Sequence, residues 1–246
     1  VSTIRYSFLA NRESMAATIR LFKETFKTVD NYLIDFLGFT TTEVGQLRQI
    51  LSVRNFNREE IDGLHNFRDM AKNLSNFQIN QRSILISKKL LNIPIWDKKF
   101  YHIFLTSKKN NEIETKFILS MLSQKNKKVV VPRIIDLNNL EHILLTKQTI
   151  LRENSYGIPE PKKYNNIIIF PQELDVIIVP LYVFDLNGNR VGYGKGYYDR
   201  FLKNCRDDVI KIGVSLFEPV KSISDITRND VALNYAITSN GIFNFQ

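Results

Sequence analysis

The sequence predicts an α/β domain: a parallel or mixed central sheet, covered by helices on both faces and preceded by N-terminal helices. Three observations carry this. All seven prolines lie at Pro94 or later and only three glycines precede it, so the first third reads as mostly helical. Beyond Pro94, short apolar runs alternate with helical segments, the texture of a sheet with helices packed on it. The length, 246 residues with 43% hydrophobic and 24% charged, is enough to bury one sizeable core.

The elements follow in order. From Ile61, apolar residues at 61, 64, 67, 71, 74 and 77 trace one helical stripe. "HIFLT" (102–106), "KVVVP" (128–132), "HILLT" (142–146), "LDVIIVP" (174–180), "IKIGVS" (210–215) and "LNYAIT" (233–238) read as strands. Ile113, Phe117, Ile118, Met121 and Leu122 mark an amphipathic helix between the first two. A glycine loop follows Pro180 and leads into a helix with Tyr197, Phe201 and Leu202 on its apolar side. There is no repeat, low-complexity tract or clear linker, so residues 43–246 form one domain behind an extension, 1–42. The start of that extension, "VSTIRYSFLANRESMAATIR", has three arginines against one acid, a trait of mitochondrial transit peptides. The apolar "YLIDFLGF" after it could instead pack on the domain.

Composition excludes several classes. The longest apolar run, "VIIVPLYVF", is broken by Pro180, far short of the roughly 20 residues that span a bilayer. A single cysteine, Cys205, allows no internal disulfide and fits a reducing compartment, so the chain is expected in the cytoplasm, with the mitochondrion as alternative. One Cys and three dispersed His (His65, His102, His142) give no zinc-ligand spacing. The net charge of +9 resides in residues 81–133, where 12 Lys and Arg face Asp97, Glu112 and Glu114. Such a segment is a solvated face or a surface for anions. Aromatics interleave too sparsely for a single-strand platform, so neither nucleic acid nor membrane is the expected partner.

Chemistry concentrates in "NRVGYGKGYYDRFL" (189–202), where Gly188, Gly192, Gly194 and Gly196 crowd together. A glycine turn between strand and helix lets backbone N–H groups approach phosphate. Two standard phosphate motifs fail here. The dinucleotide fingerprint needs glycine where Tyr197 stands, and the P-loop needs Gly and Ser/Thr where Asn189 and Gly196 stand. A protein-kinase loop needs a flanking hairpin, whereas a helix follows. Arg190 and Lys195 supply cations for phosphate, and Asp199 can hold a divalent metal.

"LDVIIVPLYVFDLNGNRVGYGKGYYDRFL" (174–202) resembles the signature of the 5-formyltetrahydrofolate cyclo-ligase family, also called methenyltetrahydrofolate synthetases. In the same order, "IFLTSKKNNEIET" (103–115) is similar to the family's first strand and folate-site loop, with two extra residues. "VVVPRI" (129–134) is similar to its second strand, and "GIPEP" (157–161) to a later turn. The resemblance implies a three-layer α/β/α sandwich and an ATP- and magnesium-dependent ligase. In the implied reaction the formyl oxygen of 5-formyltetrahydrofolate attacks the γ-phosphate. The 10-nitrogen then attacks the formyl carbon, and phosphate leaves as 5,10-methenyltetrahydrofolate forms.

By the same resemblance Arg48, Arg190, Gly192, Tyr193, Gly194, Lys195, Gly196, Tyr197 and Tyr198 hold ATP, with Lys195 and Tyr197 nearest the chemistry. Leu105, Glu112 and Tyr197 contact the folate, and Asp199 and Asn234 attend magnesium. The implied partners are small molecules, MgATP and 5-formyltetrahydrofolate, with Lys and Arg of 81–133 available to a polyglutamate tail; the chain is expected to be a monomer. Without the family, Glu112 and Glu114 read as a charged first helical turn.

Three departures accompany the match. Val44 replaces a phosphate-gripping lysine while Arg48 is kept, Leu181 and Val183 replace small residues, and Asn234 replaces an aspartate. They leave two alternatives: a weakened relative that binds folate or nucleotide without turnover, and a basic nucleic-acid-associated protein.

Overall fold

Two helices, α1 (Gly63–Lys72) and α2 (Asn76–Leu90), open the part of the chain that this computed structural model describes. It covers residues 63–245 apart from 137, 156, 165, 193–195, 225 and 229. The apolar stripe expected across 61–77 is interrupted. Ser75 caps α2, its Oγ accepting the Gln78 N–H while Gln78 Oε1 accepts the Ser75 N–H. This capping box overrides the continuous period, and Phe77 is left 72% exposed.

The strands are β1 (Phe100–Ile103), β2 (Lys128–Ile134), β3 (Leu140–Leu144), β4 (Leu151–Glu153), β5 (Pro159–Pro161) and β6 (Val176–Pro180). They continue with β7 (Val183–Phe184), β8 (Arg190–Val191), β9 (Ile210–Val214), β10 (Tyr235–Ile237) and β11 (Ile242–Asn244). Helix α3 (Lys116–Gln124) joins β1 to β2, and α4 (Tyr197–Lys203) lies between β6 and β9. Seven strands form the central sheet in the order β11-β10-β9-β6-β1-β2-β3. Strands β10, β9, β6, β1 and β2 run parallel, and the edges β11 and β3 are antiparallel, so the sheet is mixed.

Burial alternates with period two, as a sheet covered on both faces requires. Tyr101, Ile103, Val129, Val131, Val176, Ile178, Ile212 and Val214 pack with the apolar sides of α1, α2 and α3. Val130, Ile177, Val179 and Ala236 face the other way and pack with Phe201 and Leu202 of α4. The α3 crossover steps from β1 towards one edge, while α4 steps from β6 towards the other. The strand order therefore reverses between β1 and β6, and a crevice opens there at their C-terminal ends.

Strands β4, β5, β7, β8 and β11, of two or three residues each, carry too little periodicity to be read from the sequence. One changes the reading of the glycine loop, which follows a small β7–β8 hairpin instead of leading directly from β6. The departure at Leu181 is absorbed nearby. A Cβ on Gly213 would meet Leu181 Cδ2 at 2.5 Å and Leu233 Cδ1 at 2.6 Å, so the missing side chain on β9 makes the room.

Four lysines of the basic segment lie away from the crevice. Lys98, Lys99, Lys127 and Lys128 lie where β1 and β2 begin, at the opposite end of the sheet. Lys127 Nζ donates to the carbonyls of Trp96 and Lys98, and Lys125 lies over the Trp96 ring at 4.8 Å.

Beneath α4, His102 and His142 are both buried, with His142 Nδ1 3.2 Å from His102 Nε2 and the His142 ring stacked on Phe201 at 4.0 Å. Burial holds His102 well below the usual imidazole range and pushes His142 down to about 4. An unfolded chain takes up the proton near pH 6.5, before the folded one can, so stability is lost as pH falls through that window. His142 alone is expected to remove about 2 kcal/mol between pH 7.5 and pH 5. Denaturant unfolding at the two pH values measures this; a flat profile, or imidazole resonances of this pair titrating above pH 6, contradicts it.

Candidate functional site

A cavity of about 350 Å³ occupies the crevice. Its walls come from four places. The chain leaving β1 gives Phe104, Leu105 and Glu112; β8 and α4 give Arg190, Gly192, Gly196, Tyr197, Tyr198 and Asp199. Ile134, Ile158 and Glu160 come from β2 and the β4–β5 hairpin, and Ile223, Ile226 and Asp230 from the segment before β10.

The loop after β1 is pinned from both sides. Asn111, in the left-handed region at φ 48°, donates its amide to the carbonyls of Ala71 and Lys72 at the end of α1. Thr106 Oγ1 donates to the Ile113 carbonyl and accepts the Thr115 N–H. Glu112 is thereby buried, at 8% exposure, and its Oε2 accepts the Ser107 N–H at 2.7 Å. Helix α3 starts only at Lys116, so the reading of Glu112 as a charge on the first helical turn does not hold.

The clustered glycines have different tasks. Gly188, at φ +82°, makes the turn between β7 and β8, where a Cβ would strike Phe245. Gly196, at φ +66°, is the N-cap of α4, and a Cβ there would lie 2.8 Å from Arg200 Nη1. Gly192 borders the cavity, and among the described residues nothing lies nearer its absent Cβ than the Pro180 carbonyl at 3.7 Å.

The hairpin ahead of the loop is anchored by Asp185, which is fully buried. Its carboxylate accepts the N–H groups of Asn187, Asn189 and Ile223 and the Asn189 amide. This ties β8, which carries Arg190, to the segment that carries Ile223 and Asp230. Arg190, its side chain only 4% exposed, donates to Asp199 Oδ1 at 2.6 Å and to the Val231 carbonyl. Asp199 Oδ1 also accepts the Val231 N–H at 3.4 Å, next to Asp230. Tyr197 Oη donates to the Asp136 carbonyl at 2.9 Å, and Arg200 Nε to the Asn138 carbonyl at 2.8 Å, so α4 grips the β2–β3 turn.

Leu105, Glu112, Arg190, Gly192, Gly196, Tyr197, Tyr198 and Asp199 are thus brought together as the sequence reading expected. Val44, Arg48, Tyr193, Gly194 and Lys195 lie outside the described residues. Asn234 is not brought to the cavity. Its Oδ1 accepts the Lys211 N–H at 2.8 Å, and its backbone pairs with Lys211 and Phe245, so it serves the sheet at β9 and β10. The acid that this segment presents to the cavity is Asp230, with Oδ2 accepting the Thr227 N–H at 2.7 Å. Asn234→Asp is therefore expected to leave any magnesium dependence of activity unchanged; a severalfold shift would place residue 234 at a metal.

Glu160, within "GIPEP", also borders the cavity, which its sequence context does not reveal. Its Oε1 accepts the Ile134 N–H, and burial pushes its carboxyl above the usual range against the pull of Ile134, Asn154 and Arg133. No group of three or more His, Cys, Asp or Glu side chains suited to a metal exists among the described residues. Asp199 and Asp230 both border the cavity, and carboxylate oxygen is the ligand type that magnesium takes.

Residues 53–238 match the profile of the 5-formyltetrahydrofolate cyclo-ligase family. The chain is 32% identical over 153 residues to the 5-formyltetrahydrofolate cyclo-ligase of Haemophilus influenzae, covering 60% of this chain and 80% of that one. It is 27% identical over 225 residues to the mitochondrial 5-formyltetrahydrofolate cyclo-ligase of Arabidopsis thaliana, 78% of this chain and 81% of the other. In fold it is similar to the NMR structure of 5,10-methenyltetrahydrofolate synthetase from Aquifex aeolicus. The TM-score there is 0.62 at 22% identity, over 74% of this chain and 90% of that chain.

Proposed function

Because the chain belongs to the 5-formyltetrahydrofolate cyclo-ligase family, we propose that it closes 5-formyltetrahydrofolate to 5,10-methenyltetrahydrofolate with ATP as phosphoryl donor. The observation that carries this is the cavity between β1 and β6. It is lined by a buried carboxylate, Glu112, by an Arg190–Asp199 ion pair and by apolar side chains.

Each part has a task in that reaction. Glu112 is an acceptor for the N–H donors of the pterin, and Glu160 a second on the hairpin wall. Ile134, Ile158, Ile223 and Ile226 cover the ring faces and keep water from the reacting oxygen. Arg190 meets phosphate oxygens, helped by Lys195 of the glycine loop. Asp199 and Asp230 would hold magnesium, which, when bound, neutralises phosphate charge. The formyl oxygen attacks the γ-phosphorus and ADP departs; the 10-nitrogen attacks the formyl carbon and phosphate departs. An amide oxygen is a poor leaving group until phosphorylated, so alignment and charge neutralisation suffice without a protein nucleophile.

Residues 43–246 are the cyclo-ligase domain on this reading, and 1–42 an extension. Lys109, whose aliphatic stem lies over Gly157 at the β4–β5 turn, is the cation best placed for a polyglutamate tail. No helix among the described residues is long and apolar enough to cross a membrane. On the cyclo-ligase reading the chain acts in the cytoplasm, with the mitochondrion as the alternative. A spectrophotometric assay of methenyltetrahydrofolate formation, with and without ATP and magnesium, tests the proposal. Folded protein giving no product above background at saturating ATP ends it.

A further inference from the structure

The polar groups around the cavity are nearly all engaged within the protein. Glu112 accepts the Ser107 N–H, Arg190 donates to Asp199 and Val231, and Tyr197 donates to Asp136. Glu160 and Asp230 accept the N–H groups of Ile134 and Thr227. Tyr198 differs. Its hydroxyl oxygen is buried and has no hydrogen-bond partner among the described residues.

The ring cannot easily swing to find one. It stands edge-on to His102 at 6.0 Å and to Phe201 at 5.9 Å, and Phe201 is itself stacked on buried His142. A buried hydroxyl without a partner destabilises the fold, and a ligand atom that accepts from it relieves that loss. Two charged groups act on this hydroxyl, Glu112 and Arg190, and both line the same cavity. A tyrosine hydroxyl is protonated at neutral pH, so this one is a donor.

We propose that the Tyr198 hydroxyl donates a hydrogen bond to the substrate oxygen that receives the phosphoryl group, instead of serving ATP as the loop resemblance implies. On the cyclo-ligase reading, on which this rests, that atom is the formyl oxygen. The hydrogen bond orients it towards the γ-phosphorus. When the 10-nitrogen attacks and the carbon–oxygen bond breaks, its electron pair returns to the same oxygen on the departing phosphate, and the donor stabilises that charge. The proton stays on tyrosine throughout, and no bond to the protein forms.

Tyr198→Phe keeps the packed ring and removes only the hydroxyl. The test measures its dissociation constants for 5-formyltetrahydrofolate, for tetrahydrofolate, which lacks the formyl group, and for ATP, with melting temperature and kcat alongside. Affinity for the formyl compound is expected to fall roughly 5- to 10-fold while the other two hold. The melting temperature should stay level or rise, and kcat should fall roughly 10- to 100-fold. Equal loss for both folates, a loss confined to ATP, or no loss overturns the inference. Wild-type protein that binds the formyl compound without turnover ends the proposed activity but leaves the formyl-selective comparison to decide Tyr198. Wild-type protein that binds neither folate overturns both.

Discussion

Asp185→Ala is expected to destabilise the protein by about 3–5 kcal/mol, lowering the melting temperature by roughly 10 °C or more. The carboxylate is fully buried and accepts three backbone N–H groups and one side-chain amide. Alanine leaves those donors unpaired in the interior, and water cannot reach them without opening the β7–β8 hairpin. Asp185→Asn keeps one acceptor oxygen and should lose less. Because the hairpin carries Arg190 and Gly192, the alanine variant should also lose activity below its melting transition. Thermal unfolding of the three proteins measures the effect; a loss under 1 kcal/mol for alanine would mean the hairpin stands on its apolar contacts alone.

Arg190→Leu should reduce kcat/KM for ATP by roughly 10²- to 10³-fold, the scale of removing one charge-stabilising group from a site of phosphoryl transfer. The guanidinium is almost wholly enclosed, paired with Asp199 and bonded to the Val231 carbonyl. On the proposed reading leucine removes the cation that meets the phosphates, and it leaves the Asp199 charge uncompensated, so some stability is lost as well. Arg190→Lys retains charge but not the two-pronged contact, and should fall between. Calorimetry with 5-formyltetrahydrofolate is expected to show little change in either variant. Unaltered ATP kinetics in Arg190→Leu would place phosphate recognition elsewhere in the loop.

Much of the site was legible because its residues are close in sequence and restricted in type. Arg190, Gly192, Gly196 and Asp199 lie within ten positions, and the glycines there need backbone freedom or close approach. Glu112 was legible only through the family likeness, since alone it reads as a helix-start charge; the fold shows it buried in a loop. Asp230 and Glu160 escaped because each sits on a segment without periodic pattern, where the direction of a side chain depends on neighbouring loops. Asn234 was placed at the metal by alignment of a short segment, and its amide turned out to serve the Lys211 N–H.

The sequence by itself determined the alternation of strands and helices, the apolar runs of β1, β2, β6, β9 and β10, and the crowding of glycines ahead of α4. Those follow from local periodicity and from the conformational demands of glycine and proline, which act over a few residues. The tertiary structure alone decided which end of the sheet holds the cavity, that the lysines around Trp96 lie at the other end, and that Asp230 and not Asn234 reaches the site. It also decided that the Tyr198 hydroxyl is left without a partner among the described residues. Those depend on the order of parallel strands and on which loops meet at the crevice, contacts between residues up to about a hundred positions apart that no local pattern encodes.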